Sequence, residues 1–274
     1  MIGVLIGLIL IVVAGLAVTD YVSATPSAIF HEEDGDVFDD WDIARTRSFG
    51  EDGFYQLSET NFRPVIAFES LGEEAGLAYN MGTQIAAKYP DQKQRAEAIF
   101  SFVRDRVNYA TDTDQFGYDE FAQNADELVA AIDQDGVAYG DCEDSTVLLA
   151  VIYKGAGYRS AIAVGPGHTA AMVYLPGYNK ATAVFELWGE SGWVWAEATG
   201  RNNPLGWVPK QIVNTEVAVY EISAEEIASS KPTNAPSVAI TKASNGGSSR
   251  GPFPFFGVIG FLWLMSLFRR RRVR

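Results

Sequence analysis

Apolar and polar positions change their period part-way along the chain. Over 64–89, Ile66, Leu71, Ala75, Ala78 and Ile85 supply one apolar face. Pro64 suits a first turn and Pro90 closes the run, which predicts a long helix. Asp91 is placed to cap a second helix reaching about Arg106, with Ala98, Ile99, Phe102 and Val103 inward. Asn124 followed three residues later by Glu127 is a capping-box signature, opening a short helix that holds Leu128 and Ile132 before an Asp135-Gly136 turn. A further helix is predicted over 141–153, ending near Gly155 or Gly157. Beyond it the pattern becomes that of strands, at 158–164, 168–175, 182–187, 193–196 and 212–220. Gly165-Pro166-Gly167, Gly177-Tyr178-Asn179 and Gly189-Glu190-Ser191-Gly192 punctuate them. Helices followed by an antiparallel sheet make an α+β domain. Residues 31–53 are acidic and read as irregular, with Phe38 and Trp41 available to pack this arm onto the domain.

The two ends differ from this pattern. Residues 2–18 hold no charged side chain and span about 25 Å as a helix, at the lower limit for a hydrocarbon core. We read 1–24 as an N-terminal membrane anchor, or as a signal peptide cut after Val22-Ser23-Ala24. Residues 252–268 form a second apolar stretch, read as a C-terminal transmembrane segment, and 269–274 a basic cytoplasmic tail. This end resembles the C-terminal sorting signals of prokaryotic surface proteins. Between 229 and 251 the chain is rich in Ser, Asn, Gly and Pro and reads as a flexible linker. That leaves 25–228 for one domain, expected on the extracytoplasmic side of a cell membrane.

Charge narrows the partners. The chain holds 35 acidic and 21 basic residues, a net −14, and all the acids and 13 of the bases lie in the first 230 residues. Such a domain repels phosphate backbones, so nucleic acid is excluded as a partner. No glycine-rich phosphate loop occurs, and one cysteine with two histidines gives poor material for zinc. Asp112, Asp114 and Asp119 are an acid-rich stretch without the twelve-residue calcium loop and its central glycine. No cofactor and no metal are expected, and no oligomeric state is indicated.

The single cysteine cannot form an intramolecular disulfide. Cys142 sits at the predicted first turn of an apolar helix, where unpaired N–H groups favour a thiolate; a buried apolar filler would more often lie mid-helix. Asp141, Glu143 and Asp144 act the other way and call for a cationic partner. Of His31 and His168, only His168 opens a strand directly after a Gly-Pro-Gly turn, where a base can be presented; an edge-strand surface histidine is the plain alternative. Glu197 is the best-placed acid to hold the imidazole, set against a merely solvated strand end. Cys142 N–H and a side chain such as Tyr139 are candidates for an oxyanion hole. Trp188, Trp193, Trp195 and Trp207 line a cleft or fill a core.

Gly140-Asp141-Cys142-Glu143-Asp144, with its apolar helix behind it, resembles the nucleophile motif of the transglutaminase-like superfamily. Val103-Arg104-Asp105-Arg106-Val107-Asn108-Tyr109 resembles the segment preceding it, and Gly155-Ala156-Gly157-Tyr158 the passage into the first strand. His168-Thr169-Ala170-Ala171-Met172-Val173 and Trp195-Ala196-Glu197-Ala198-Thr199 resemble the strands carrying the histidine and the third member, which is usually Asp and here is Glu197. The resemblance, over about 95–200, implies a papain-like fold and a membrane-anchored, bacterial or archaeal thiol hydrolase with a catalytic set of Cys142, His168 and Glu197. It implies acyl transfer on a protein or peptide substrate: amide hydrolysis, protein–glutamine crosslinking, or a binding module that has lost turnover.

Overall fold

The computed structural model describes residues 31–39, 44–47, 54–56, 62–64, 66–67, 75–222 and 238–243. Two short antiparallel hairpins come first, β1 (His31–Glu33) with β2 (Asp36–Phe38), and β3 (Phe54–Gln56) with β4 (Phe62–Pro64). Helices α1 (Gly76–Lys88) and α2 (Gln92–Arg106) follow, then β5 (Val107–Tyr109), α3 (Asp112–Gln115), α4 (Ala125–Asp135), β6 (Ala138–Gly140) and α5 (Cys142–Gly155). The remaining elements are β7 (Ser160–Gly165), β8 (His168–Tyr174), β9 (Phe185–Leu187), β10 (Glu190–Ala196), α6 (Lys210–Val213), β11 (Val217–Ile222) and β12 (Val238–Thr241). The last six strands form one antiparallel sheet ordered β12-β11-β7-β8-β10-β9. The α+β class expected from the sequence is the class observed.

Local chemistry explains most helix ends. Asp91 accepts the Gln94 N–H at 2.8 Å, Asn124 and Glu127 form the reciprocal capping box, and Gly136 closes α4 in the left-handed region at φ 78°. α1 is the exception. It starts at Gly76 instead of near Pro64, and its first N–H groups are satisfied from a distance. Leu77 and Ala78 donate to the Asp126 carboxylate, each at 2.9 Å. Pro64, expected in the first turn of the helix, instead ends β4, which pairs with β3. The stretch 212–220 likewise divides, into the end of α6 and strand β11. The arm expected to be irregular contains the β1–β2 hairpin, in which His31 stacks on Phe38 at 5.3 Å. Trp41 lies outside the described residues; the arm is attached through buried Arg45, which pairs with Glu127 at 2.7 Å.

The core has two compartments divided by the sheet. Ile162, Val164, Ala171, Val173, Val194, Ala196, Ala218 and Tyr220 point to the helices, and their alternate neighbours Ala161, Ala163, Ala170, Met172, Trp193, Trp195, Val217 and Val219 point to the other face. Both faces are buried, so the strands read as continuous apolar runs. α5 is enclosed by α1, α2, α4 and the sheet, and every residue from Glu143 to Tyr153 is buried.

Among the described residues no helix is long and apolar enough to cross a membrane. This corrects the expectation of a membrane-anchored chain, and with it the membrane as partner and as location. The apolar stretches 2–18 and 252–268, on which that expectation rested, lie outside the described residues.

Glycine sets how closely α1 and α5 approach. A Cβ at Gly82 would lie 2.2 Å from the Ile152 carbonyl oxygen, and one at Gly155 2.0 Å from that of Tyr79. Helix propensity alone would favour Gly82→Ala by about 1 kcal/mol. The clash instead predicts a loss of about 2 kcal/mol or more in urea unfolding. A stabilised Gly82→Ala protein would show that the helices are not packed this tightly.

Candidate active site

The first turn of α5 is placed by a parallel pairing. β5 lies beside β6 with Tyr109 opposite Gly140, and the Ala110 N–H donates to the Gly140 carbonyl at 3.1 Å. The Asp141 N–H then donates to Asp144 at 3.1 Å, and this fold-back needs a glycine before it. A Cβ at Gly140 would lie 2.6 Å from Asp144 Oδ2. Asp144 also receives the Gln123 backbone and side-chain N–H groups, at 2.8 and 2.9 Å, so it is structural. Cys142 follows, half-buried, as the first residue of the helix.

The opposite wall comes from the sheet. The β7–β8 turn pairs Gly165 with His168 and uses Gly167 at φ 63°, so the histidine opens β8 at the edge of the cavity. The backbone N–H of the next residue, Thr169, lies near enough to the Cys142 sulfur to favour its ionised form. β10 runs antiparallel to β8 with Ala196 opposite Ala171, which carries Glu197 to the histidine's end of the strand. His168 Nε2 is hydrogen-bonded to Glu197 Oε2, and Thr199 donates its hydroxyl and, at 3.3 Å, its N–H to Glu197 Oε1. The Glu197 carboxylate therefore engages Nε2 and not Nδ1. Cys142, His168 and Glu197 lie close together in a Cys-His-Glu-like arrangement, a layout consistent with a catalytic cysteine enzyme.

A cavity of about 220 Å³ opens beside Cys142, lined also by Tyr109, Glu120, Asp141, Glu143, Gly167, His168 and Thr199. A second, of about 400 Å³, lies across His168 and includes Glu197, Asn203, Trp207, Pro209 and Ile212. Of the tryptophans expected to line a cleft, Trp207 does so, whereas Trp193 and Trp195 are fully buried in the sheet's far face and Trp188 sits exposed at a turn. Tyr139 is exposed and does not line the cavity; its carbonyl binds Gln123.

The electrostatics of the thiol are unfavourable to ionisation. Burial pushes the Cys142 thiol well up, the Glu143 and Asp141 charges add to this, and the thiol is hydrogen-bonded to Glu143 at 3.1 Å; only the Thr169 N–H opposes them. Burial also pushes Glu143 and Asp144 upward, helped by Asp141. Glu197 behaves differently. Burial would raise it, but its bond to His168, the imidazole's charge and Thr199 together hold it below the usual carboxylate range.

Carboxylates crowd the site more than the sequence suggested. Asp112, Asp141 and Asp144 bring one oxygen each within 4.8 Å of one another, as do Asp112, Glu120 and Glu143; Asp141, Cys142 and Glu143 form a third such group. These sets are the described residues that could hold a metal ion. Asp114 and Asp119, which the sequence associates with Asp112, belong to none of them: Asp114 is engaged with Thr111, and Asp119 is exposed. Asp112 is instead buried, accepting the Phe121 N–H at 2.7 Å. Sequence reading missed Tyr109, Glu120 and Thr199 as lining residues, although Tyr109 and Thr199 lie inside recognised segments and Glu120 does not.

Residues 79–209 match the family model of the Transglutaminase-like superfamily. That span runs from α1 to the loop before α6 and contains Cys142, His168 and Glu197. The helical layer on a curled antiparallel sheet is a transglutaminase-like core, consistent with papain-like architecture. No curated protein matches the chain.

If Glu143 holds the thiol in its protonated form, Glu143→Gln lowers the pH midpoint of Cys142 alkylation by iodoacetamide and speeds the reaction near neutrality several-fold. The rate-against-pH profile measures this. An unchanged midpoint would show that the sulfur does not feel this carboxylate.

Proposed function

We propose that this protein is a cysteine-dependent acyl-transfer enzyme acting on amide bonds of a protein or peptide substrate, with hydrolysis as its outcome. The observation that carries the reading is the His168 imidazole fixed by Glu197 through Nε2, in a cavity shared with Cys142. As the sulfur attacks the amide carbonyl, the thiol proton passes to His168 Nδ1. The tetrahedral intermediate collapses, His168 returns that proton to the departing amine, and a thioester remains on Cys142. Water then attacks the thioester, giving up its proton through the same imidazole, and releases the acid. Glu197 is proposed to fix the ring's tautomer and to stabilise the imidazolium as it forms; Thr199 in turn holds Glu197. The longer side chain of Glu, compared with the family's usual Asp, still reaches the ring.

One observation favours a second reading, a substrate-binding module without turnover: the thiol is bonded to Glu143 and pushed away from ionisation. The two readings differ in whether a thioester forms. With a peptide pool as substrate, intact-mass analysis is expected to show a hydroxylamine-sensitive adduct on the wild type and none on Cys142→Ala. His168→Ala is expected to slow product formation by about 10²–10⁴, and Glu197→Gln by a comparable factor through loss of ring orientation. Turnover that survives Cys142→Ala would remove the sulfur as the nucleophile, and a wild type that neither turns over nor becomes acylated would leave the binding module as the better account.

A further inference from the structure

The larger cavity, about 400 Å³, shares His168 and Thr199 with the cavity beside Cys142 but does not include the cysteine. Its wall is mainly apolar, from Pro166, Trp207, Pro209 and Ile212. Of its ten lining residues only His168 and Glu197 ionise, and they are bonded to each other. A charged side chain entering here would lose part of its water and find no free counter-ion. One polar group is unspent. The Asn203 side-chain amide lies against Gly200, where a Cβ would stand 2.2 Å from its nitrogen, and has no hydrogen-bond partner among the described residues. The Asn203 backbone is held on both sides: its N–H donates to the Gly200 carbonyl at 3.0 Å, and its carbonyl accepts from Arg104 at 3.0 Å. A preformed, mostly apolar cavity with a fixed, unspent amide has the makings of a ligand site.

We infer that this cavity receives an uncharged apolar side chain, of the size of Leu or Phe, from the residue that supplies the amine of the scissile amide. The inference rests on the reading of Cys142 as the nucleophile. The carbonyl under attack must stand at Cys142, and the nitrogen that takes up the proton must stand at His168. A substrate in position for attack therefore crosses the ring, and whatever follows its nitrogen enters the second cavity. A leaving group of that bulk is a peptide chain; ammonia, released from a side-chain carboxamide, would leave the cavity empty. Asn203 offers what a chain continuing past that residue needs, an acceptor for an N–H and a donor for a carbonyl. Half-buried Trp207 is the largest side chain of the wall and gives an apolar residue its main contact surface. An ammonium finds no carboxylate to hold it, because Glu197 is engaged by His168 and Thr199. Selection for an apolar residue on the amine side follows.

An amine that captures the acyl-enzyme must occupy the place the leaving amine vacates, which gives a test that needs no known substrate. The full chain is treated with p-nitrophenyl acetate: the Cys142 sulfur attacks the ester carbonyl, p-nitrophenolate leaves and an acetyl thioester forms. An amino-acid amide then attacks that carbonyl through its α-nitrogen, the C–S bond breaks, the nitrogen's proton passes to the sulfur and the N-acetyl amide is released. Products are counted by mass spectrometry against the Cys142→Ala background. Leucinamide and phenylalaninamide are expected to capture the acetyl group at least about tenfold better than glycinamide or glutamic acid α-amide. Trp207→Ala is expected to cut that preference several-fold, while Trp188→Ala, at the opposite end of β10 from Glu197, leaves it unchanged. Circular dichroism verifies that each variant is folded. Equal capture of all the amides, a best acceptor with a charged side chain such as lysinamide, or an equal drop in the control would overturn the subsite. The cavity is also read without chemistry. In the Cys142→Ala chain, leucinamide at about pH 8.5, where its α-amine is largely uncharged, is expected to shift the Trp207 indole ¹⁵N–¹H signal, assigned with Trp207→Phe. An unmoved Trp207 signal would overturn the subsite whether or not the sulfur reacts, whereas a shifted signal in a protein that never acylates would sink the nucleophile reading alone.

Discussion

Burial of α5 on all sides is the constraint on which the site depends. A helix whose residues from Glu143 to Tyr153 are all buried cannot shift without disturbing α1, α2, α4 and the sheet together. Gly82 and Gly155 let the backbones of α1 and α5 touch, which removes the slack that side chains would leave. Cys142 is the first residue beyond this clamp, held half-buried at the point where the helix emerges into a cavity. The sheet supplies the second fixed body. The pairings of β7 with β8 and of β8 with β10 decide where His168 and Glu197 stand relative to that helix end.

Two opposed electrostatic fields meet at the sulfur. On the sheet side, the Thr169 N–H favours the thiolate and the imidazole lines the same cavity, with Glu197 and Thr199 holding the ring. On the helix side Asp141 and Glu143 oppose ionisation, and Asp112, Glu120 and Asp144 crowd the same region. A site made only to generate a resting thiolate would not be built this way. The arrangement makes sense where the proton leaves the sulfur only as attack occurs.

What the sequence showed was what is settled locally. Asp91, the Asn124–Glu127 capping box, Gly136 and the start of α5 depend on neighbours three or four residues away, and each was readable. The order of Cys142, His168 and Glu197 was readable from motifs. The start of α1 was not, because its donors are satisfied by Asp126, about fifty residues further along. Pro64 was read as the first turn of that helix because Ile66 and Leu71 fit the spacing, whereas it ends β4, whose pairing with β3 is a tertiary choice. Tyr109, Asp112 and Glu120 reach the site only because β5 runs parallel to β6 and the chain turns back at Phe121 toward Asp112. The terminal stretches carried a hydropathy signal strong enough to suggest membrane segments, yet the described fold contains no spanning helix.

The central claim is that Glu197 fixes the His168 ring through Nε2 and so turns Nδ1 toward Cys142. The chain has only two histidines, so ¹⁵N-detected imidazole spectra of uniformly labelled protein resolve His168 from His31, with His168→Ala giving the assignment. The account predicts that neutral His168 carries its proton on Nε2, and that Glu197→Gln disturbs this tautomer while leaving His31 unchanged. A neutral His168 protonated on Nδ1, or an Nε2 signal indifferent to Glu197→Gln, would contradict it.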